Sequence, residues 1–183
     1  MNPEKLSFRH TGKKDYQLIE KVLNESFTLD EEATLALNLL HDKSAFPLVS
    51  ILAFYNDTAV GHILFTRSYL NGQDKPLIHI LAPLAVVPDF QGKGIGGMLV
   101  TKGIQQLNTL GSKLVFVLGH IEYYPKYGFL TNAGKYGFQA PYRIPEEVED
   151  AWMVQELQGN CIEKYRGLIK CADMLMKPEY WQE

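Results

Sequence analysis

The pattern that most constrains the fold is a pair of apolar runs, residues 77–87 and 114–118, separated by a glycine-dense loop and a helical stripe. Nearly continuous apolar runs are typical of strands that are covered on both faces. The stripe over 94–110 places apolar side chains at helical spacing and ends at Gly111, a suitable C-cap. Because a helix joins the two strands, we expect them to run parallel as a β-α-β unit.

The loop between the first strand and the helix is rich in glycine. Glycines keep Cβ atoms away from a ligand, and the N–H groups at a helix N-terminus attract negative charge. We therefore expect the loop to bind a phosphate or pyrophosphate group. The candidate binding residues are Gln91, Gly92, Lys93, Gly94, Ile95, Gly96 and Gly97.

The segments on either side predict a mixed α/β domain, with antiparallel strands first and one central β-α-β unit. Strands are expected at 6–9, 48–55 and 59–69, with turns at Asn56-Asp57 and Asn71-Gly72. One helix should follow an N-cap at Thr11 or Asp15, a second should span 30–42, and a short one should span 123–127.

Composition indicates an ordinary globular protein, with 183 residues, 46% hydrophobic and 21% charged side chains and a net charge of −3. The sequence contains no basic run of the kind that binds nucleic acids. It also contains no apolar run long enough to span a membrane. Cys161 and Cys171 lack the spacing of a zinc site, so we expect reduced thiols and no metal. The N-terminal residues lack a signal pattern, which predicts a cytoplasmic protein.

Two other phosphate-binding loops fit less well. A Walker loop needs a lysine directly after its last glycine, but Met98 follows Gly97 here. Residues 92–97 do contain the dinucleotide pattern G-x-G-x-x-G. That pattern requires an acidic residue at the end of the next strand, where this chain has Gly119-His120.

The residues around the loop resemble the acetyl-CoA-binding motif of the GNAT superfamily of N-acetyltransferases. That motif is Gln or Arg, two variable positions, Gly, any residue, then Gly or Ala, and it is matched by Gln91, Gly94 and Gly96. Residues 123–129 also resemble the family's tyrosine–x–lysine–x–glycine–phenylalanine segment, at the family's spacing. Residues 151–157 are similar to the closing strands of a bacterial subfamily of predicted acetyltransferases.

The resemblance implies a GNAT-type fold. Such a fold has a central mixed, mostly antiparallel sheet flanked by helices, with one β-α-β unit that binds acetyl-CoA. The whole of 1–183 would be one N-acetyltransferase domain, with its motifs at about 77–129, helices and a hairpin in 1–76 and closing strands in 130–183. Many relatives pair, so the resemblance also implies a homodimer.

The resemblance further implies an acetyl-CoA-dependent N-acetyltransferase in which an amine attacks the thioester directly. The backbone of Leu84, Ala85, Val86 and Val87 would pair with the pantetheine arm of the cofactor. The N–H of Val86 would stabilise the oxyanion. Tyr124 falls on the family position whose hydroxyl faces the cofactor sulfur, with Tyr123 and Tyr127 as rivals. A non-catalytic acyl-CoA sensor and, less well supported, a dinucleotide-dependent oxidoreductase are the alternatives.

The sequence offers several candidates for the general base and only a broad class for the acceptor. His62, His79, His120 and Glu122 are candidate bases, with His120 best placed at a strand's carboxyl end, and a water chain is an alternative. The acceptor is expected to be a small-molecule or peptide amine. By resemblance, its pocket would be shaped by about 27–46 and 136–149, where acidic residues around Glu149 could attract a cation.

Overall fold

The computed structural model describes residues 3–28 and 31–181. Within those ranges eight strands form one sheet system. They are β1 (Leu6–His10), β2 (Val49–Tyr55), β3 (Thr58–Leu70), β4 (Gln73–Val86), β5 (Leu114–Leu118), β6 (Phe138–Gln139), β7 (Trp152–Glu156) and β8 (Gly167–Lys170).

The main sheet has the order β1-β2-β3-β4-β5-β7. Its pairs are antiparallel except β4 with β5, which are parallel as the intervening helix requires. β8 pairs with the end of β3 and with β6. The expected mixed, mostly antiparallel sheet with one β-α-β unit is therefore confirmed.

Four α-helices flank this sheet in the described part of the chain. They are α1 (Tyr16–Ser26), α2 (Glu31–His41), α3 (Ile95–Thr109) and α4 (Cys161–Lys164). α3 packs against β2, β3 and β4, whereas α1 packs against β3, β4 and α2. None of these helices is long and apolar enough to cross a membrane.

The predicted hairpin turns form as expected. Asn56 and Asn71 adopt left-handed backbone conformations, each with φ of 53°, as tight turns between paired strands require. β4 begins at Gln73 rather than at residue 77, because the second turn lets it pair with β3 at once. The closing strands expected in 130–183 form as the short strands β6, β7 and β8, with 3-10 turns between them.

β4 and β5 stay paired over only part of their length. Ile78, His79 and Ile80 pair with residues 114–116, whereas β4 continues to Val86 and β5 to Leu118 without further pairing between them. The two strands therefore part towards their carboxyl ends. The gap between them exposes one edge of the second half of β4 and positions the candidate site.

Candidate active site

The free edge of β4 presents alternate backbone groups to the gap. The N–H of Val87 donates to the carbonyl of Val60 on β3 at 3.0 Å. Antiparallel pairing alternates, so the N–H of Ala85 also points to β3, opposite His62. The N–H groups of Leu84 and Val86 consequently point to the gap. The pairing of Ala85 and Val87 with β3 leaves them unable to offer their N–H to a ligand there.

The glycine loop presents unbonded amides at the start of α3. The N–H groups of Gly92, Lys93 and Gly94 have no acceptor within residues 3–28 and 31–181. Gly92 and Gly94 have φ of 68° and 83°, a conformation that other residues rarely adopt. No described atom lies within 4 Å of where a Cβ would stand on either residue. This open cradle fits an anionic group such as a pyrophosphate.

We expected the glycines to leave room for a ligand, but the space beside Gly96 and Gly97 is occupied by tyrosine side chains. A Cβ on Gly96 would lie 2.5 Å from the hydroxyl of Tyr123. A Cβ on Gly97 would lie 2.2 Å from the hydroxyl of Tyr127. These two glycines therefore let tyrosine side chains pack against the first turn of α3.

A cavity of about 490 Å³ lies between the glycine loop and the tyrosines. We call it the glycine-loop cavity. Most of the predicted cofactor-binding residues line it, namely Leu84, Val86, Gln91, Gly92, Gly94, Ile95, Gly96, Gly97 and Tyr124. Ala85, Val87 and Lys93 do not line it.

Two polar side chains of the loop fold back onto the turn before it. Gln91 Nε2 donates to the carbonyl of Val86 at 2.9 Å and so ties the loop to the end of β4. Lys93 Nζ donates to the carbonyl of Asp89 and lies 5.0 Å from the centre of the Phe90 ring. The lysine therefore contributes its backbone N–H to the cradle, while its ammonium group lies on the turn.

Tyr124 stands at the far wall of the glycine-loop cavity. It begins a 3-10 helix, Tyr124–Tyr127, and its side chain is buried. Its ring packs edge-on against Tyr123 and Phe129, with centroids 5.1 and 5.6 Å apart. Burial, first, and the hydrogen bond that its hydroxyl donates to Tyr127 raise the pKa of Tyr123 above its usual range. Tyr123 and Tyr127 are thus engaged with each other and with α3.

A second cavity of about 410 Å³ opens on the other side of Tyr124. It shares Leu84, His120 and Tyr124 with the glycine-loop cavity. We call it the acidic cavity, because carboxylates line it. Its other lining residues are Phe27, Glu31, Glu32, Leu35, Ile80, Leu81, Ala82, Pro83, Leu118, Gly119, Leu175, Glu179, Tyr180 and Trp181.

The structure separates the candidate bases. Burial lowers the pKa of His62 to about 3 and that of His79 to about 4. His62 is hydrogen-bonded to Ser50, and His79 to Ser112 and the carbonyl of Pro47, so both are neutral core residues. Exposed Glu122 lines neither cavity. His120 lies where the two cavities meet.

The two segments expected to shape the acceptor pocket line different cavities. Phe27, Glu31, Glu32 and Leu35, from the first segment, line the acidic cavity. Part of the second segment, including Glu149, instead lines a separate cavity of about 570 Å³. Sequence reasoning missed the C-terminal residues 175–181, whose only signal is an aromatic pair beside Glu179.

Comparisons with known proteins agree with this geometry. The model of the "Acetyltransferase (GNAT) family" matches residues 16–129. A protein of Escherichia coli K12 with the name Uncharacterized N-acetyltransferase YjhQ is 48% identical over 174 residues, which cover 94% of this chain and 96% of that protein.

Solved structures share the fold. The structure of the GNAT family N-acetyltransferase YhbS from E. coli, in complex with CoA, has a TM-score of 0.85 and 26% identity, and the match covers 97% of this chain and 96% of that one. A GNAT family acetyltransferase from Brucella melitensis, in complex with acetyl-CoA, has a TM-score of 0.73 at 22% identity, covering 93% and 97% of the two chains. The predicted resemblance is confirmed, and the chain belongs to the acetyltransferase (GNAT) family of acyltransferase enzymes.

Proposed function

We propose that this protein is an acetyl-CoA-dependent N-acetyltransferase that transfers the acetyl group to a primary amine by direct attack. The observation that carries this proposal is the meeting of two cavities at one wall. One cavity contains unbonded backbone N–H groups and the other contains carboxylates, and Leu84, His120 and Tyr124 belong to both. An acyl donor and an amine would reach each other there.

The glycine loop would hold the pyrophosphate of acetyl-CoA. The unbonded N–H groups of residues 92–94 and the positive end of the α3 dipole supply the attraction. The inward N–H of Leu84 would pair with the pantetheine arm. Acetyl-CoA would supply the thioester. The protein would stabilise the oxyanion, donate a hydrogen bond to the departing sulfur and accept the proton of the amine.

Val86 would stabilise the negative charge that develops on the thioester oxygen. Its N–H points to the gap, and Gln91 holds the Val86 carbonyl from the loop side. A fixed donor of this kind typically contributes about 3 kcal/mol to lowering the barrier. Since Val86 acts through its backbone, its side chain remains free to pack against the core.

Tyr124 would donate a hydrogen bond to the departing sulfur. A phenol has a pKa of about 10 and a thiol of about 8.5, so complete proton transfer to the thiolate is uphill by roughly 2 kcal/mol. The tyrosine therefore acts as a hydrogen-bond donor or a late proton donor. Tyr123 and Tyr127 are poorer candidates, because their hydroxyls lie against Gly96 and Gly97.

His120 is the proposed acceptor of the proton that the amine loses. It is exposed and lines both cavities. Its backbone carbonyl accepts hydrogen bonds from the N–H groups of Tyr123 and Tyr124, which fixes the turn that carries all three residues. His62 and His79 are excluded from this role by their burial in the core.

We also propose that residues 1–183 act as one acetyltransferase domain. β1 and β8, from opposite ends of the chain, belong to the same sheet system as the motif-bearing strands. The acidic cavity likewise combines α2 with residues near 180.

Calorimetry and thiol release test the proposal together. Acetyl-CoA and CoA should bind the protein and NAD should not. Free thiol should then appear only when an amine is added to the acetyl-CoA complex. Binding of CoA without thiol release across a broad panel of amines would favour a sensor, and binding of NAD alone would overturn the choice of cofactor.

A further inference from the structure

The carboxylates of the acidic cavity come from two distant parts of the chain. Glu31 and Glu32 lie in the first turn of α2, and Glu179 lies in the 3-10 helix Pro178–Trp181. Neither lysine nor arginine is among the described residues that line the cavity. The cavity therefore attracts cations and repels anions.

Glu32 has a carboxylate oxygen that the rest of the described chain leaves unsatisfied. Its Oε2 is buried, with less than 1 Å² exposed, and it has no hydrogen-bond partner within residues 3–28 and 31–181. A helix N-terminus favours a glutamate at this position but does not bond this oxygen. Burying such a group without a partner is unfavourable, because it loses its hydration and gains no hydrogen bond in return. A cationic ligand would supply the missing donor.

The other walls of the acidic cavity are apolar and aromatic. They include Phe27, Leu35 and Tyr180, together with residues of β4. Such walls fit methylene groups, and aromatic faces attract ammonium groups. A volume of about 410 Å³ lies within the range of small-molecule pockets.

We propose that the acidic cavity binds a small aliphatic amine with at least two amino groups. One ammonium group pairs with Glu32 and its neighbouring carboxylates, while a second amino group faces Tyr124 and His120. This inference rests on the proposed function. In the reaction the facing nitrogen, as the neutral amine, forms a bond to the acetyl carbon and the carbon–sulfur bond breaks. One amine proton leaves to His120, and the departing sulfur takes a proton donated through Tyr124, so that CoA leaves as the thiol.

The first test is binding to the CoA complex by calorimetry, with 1,4-diaminobutane and 1-aminobutane as probes. The diamine should bind about tenfold more tightly, a difference of about 1.4 kcal/mol, since it makes one more charge-assisted contact. Glu32→Gln should remove that advantage and leave 1-aminobutane unaffected. Glu179→Gln should reduce it in part. Glu163→Gln, an exposed glutamate on α4 outside the cavity, is the matched control and should change neither affinity.

Equal affinity for the two probes, or a diamine advantage that survives both substitutions in the cavity, would overturn the inference. Thiol release with the same probes separates it from the proposed function. Turnover with 1-aminobutane as fast as with the diamine contradicts the inference and leaves the acetyltransferase intact. Glu32-dependent diamine binding without thiol release from any amine supports the inference and contradicts the proposed function. Thermal unfolding of each variant verifies that it folds.

Discussion

The two cavities that meet at Tyr124 present different chemical groups, backbone N–H groups in one and side chains in the other. The glycine-loop cavity is lined by the end of β4, the glycine loop and a tyrosine cluster, and it presents backbone N–H groups. The acidic cavity is formed by side chains from Phe27, α2, β4, β5 and the described residues near 180. A backbone cradle depends on loop conformation, whereas a side-chain pocket changes with single substitutions. If the two cavities hold the acceptor and the cofactor as we propose, single substitutions can change acceptor choice while the cofactor site stays constant.

The largest effect is expected from Tyr124→Phe, which alters the wall common to both cavities. Loss of the hydroxyl should lower kcat about a hundredfold, because only water can then donate a hydrogen bond to the leaving sulfur. The affinity for acetyl-CoA should be almost unchanged, since the ring and its packing remain. Steady-state thiol release and calorimetry measure the two quantities.

Tyr136→Phe provides the control for that experiment. Tyr136 is a partly buried tyrosine outside both cavities, so its substitution should leave kcat and acetyl-CoA affinity unchanged. A Tyr124→Phe protein that turns over at the wild-type rate would remove Tyr124 from the mechanism.

A smaller effect is expected from His120→Gln. Water can take over part of the proton transfer at an exposed position, so kcat/KM near neutral pH should fall only about tenfold. The loss should shrink as pH rises, because a larger fraction of the amine is then neutral without help. The pH profile of kcat/KM measures this, and Glu122→Gln should show no change. An identical profile for wild type and His120→Gln would contradict the assignment.

The smallest effect is expected from Gly94→Ala, which changes only the glycine-loop cavity. A left-handed alanine costs at least about 1 kcal/mol, which favours other loop conformations. The affinity for acetyl-CoA should therefore drop about fivefold. Diamine binding should not change. Calorimetry with both ligands gives the answer, with Gly159→Ala, an open position, as control. Equal losses for both ligands would show that the cavities are not independent.

The difference between the cavities also explains what could be predicted from sequence. The loop, α3 and β5 follow one another in the chain, so residues 84–124 already contained most of the glycine-loop cavity. The β-α-β order followed from the same stretch, whereas the role of Tyr124 was predicted from the resemblance to the GNAT family. Pairing with β3, which engages the N–H of Ala85 and Val87, depends on strand register and could not be predicted.

The acidic cavity could not be assembled from sequence because its parts are distant. Glu32 at a helix start looks like an ordinary favourable partner of the helix dipole. Glu179 lies near the C-terminal end of the sequence, without a motif. The predicted attraction of a cation to the acidic residues near Glu149 pointed to a different cavity. Only the fold brings α2 and residues 175–181 to the edge of β4.

We propose that the two cavities are the two halves of one site and meet at Tyr124. A conjugate in which the sulfur of CoA is joined through an acetyl spacer to one nitrogen of 1,4-diaminobutane would occupy both halves at once. If donor and acceptor positions are contiguous, calorimetry should show the conjugate binding about a hundredfold more tightly than CoA, because the second contact is made within the same molecule. An affinity equal to that of CoA alone would show that the two cavities do not form one site.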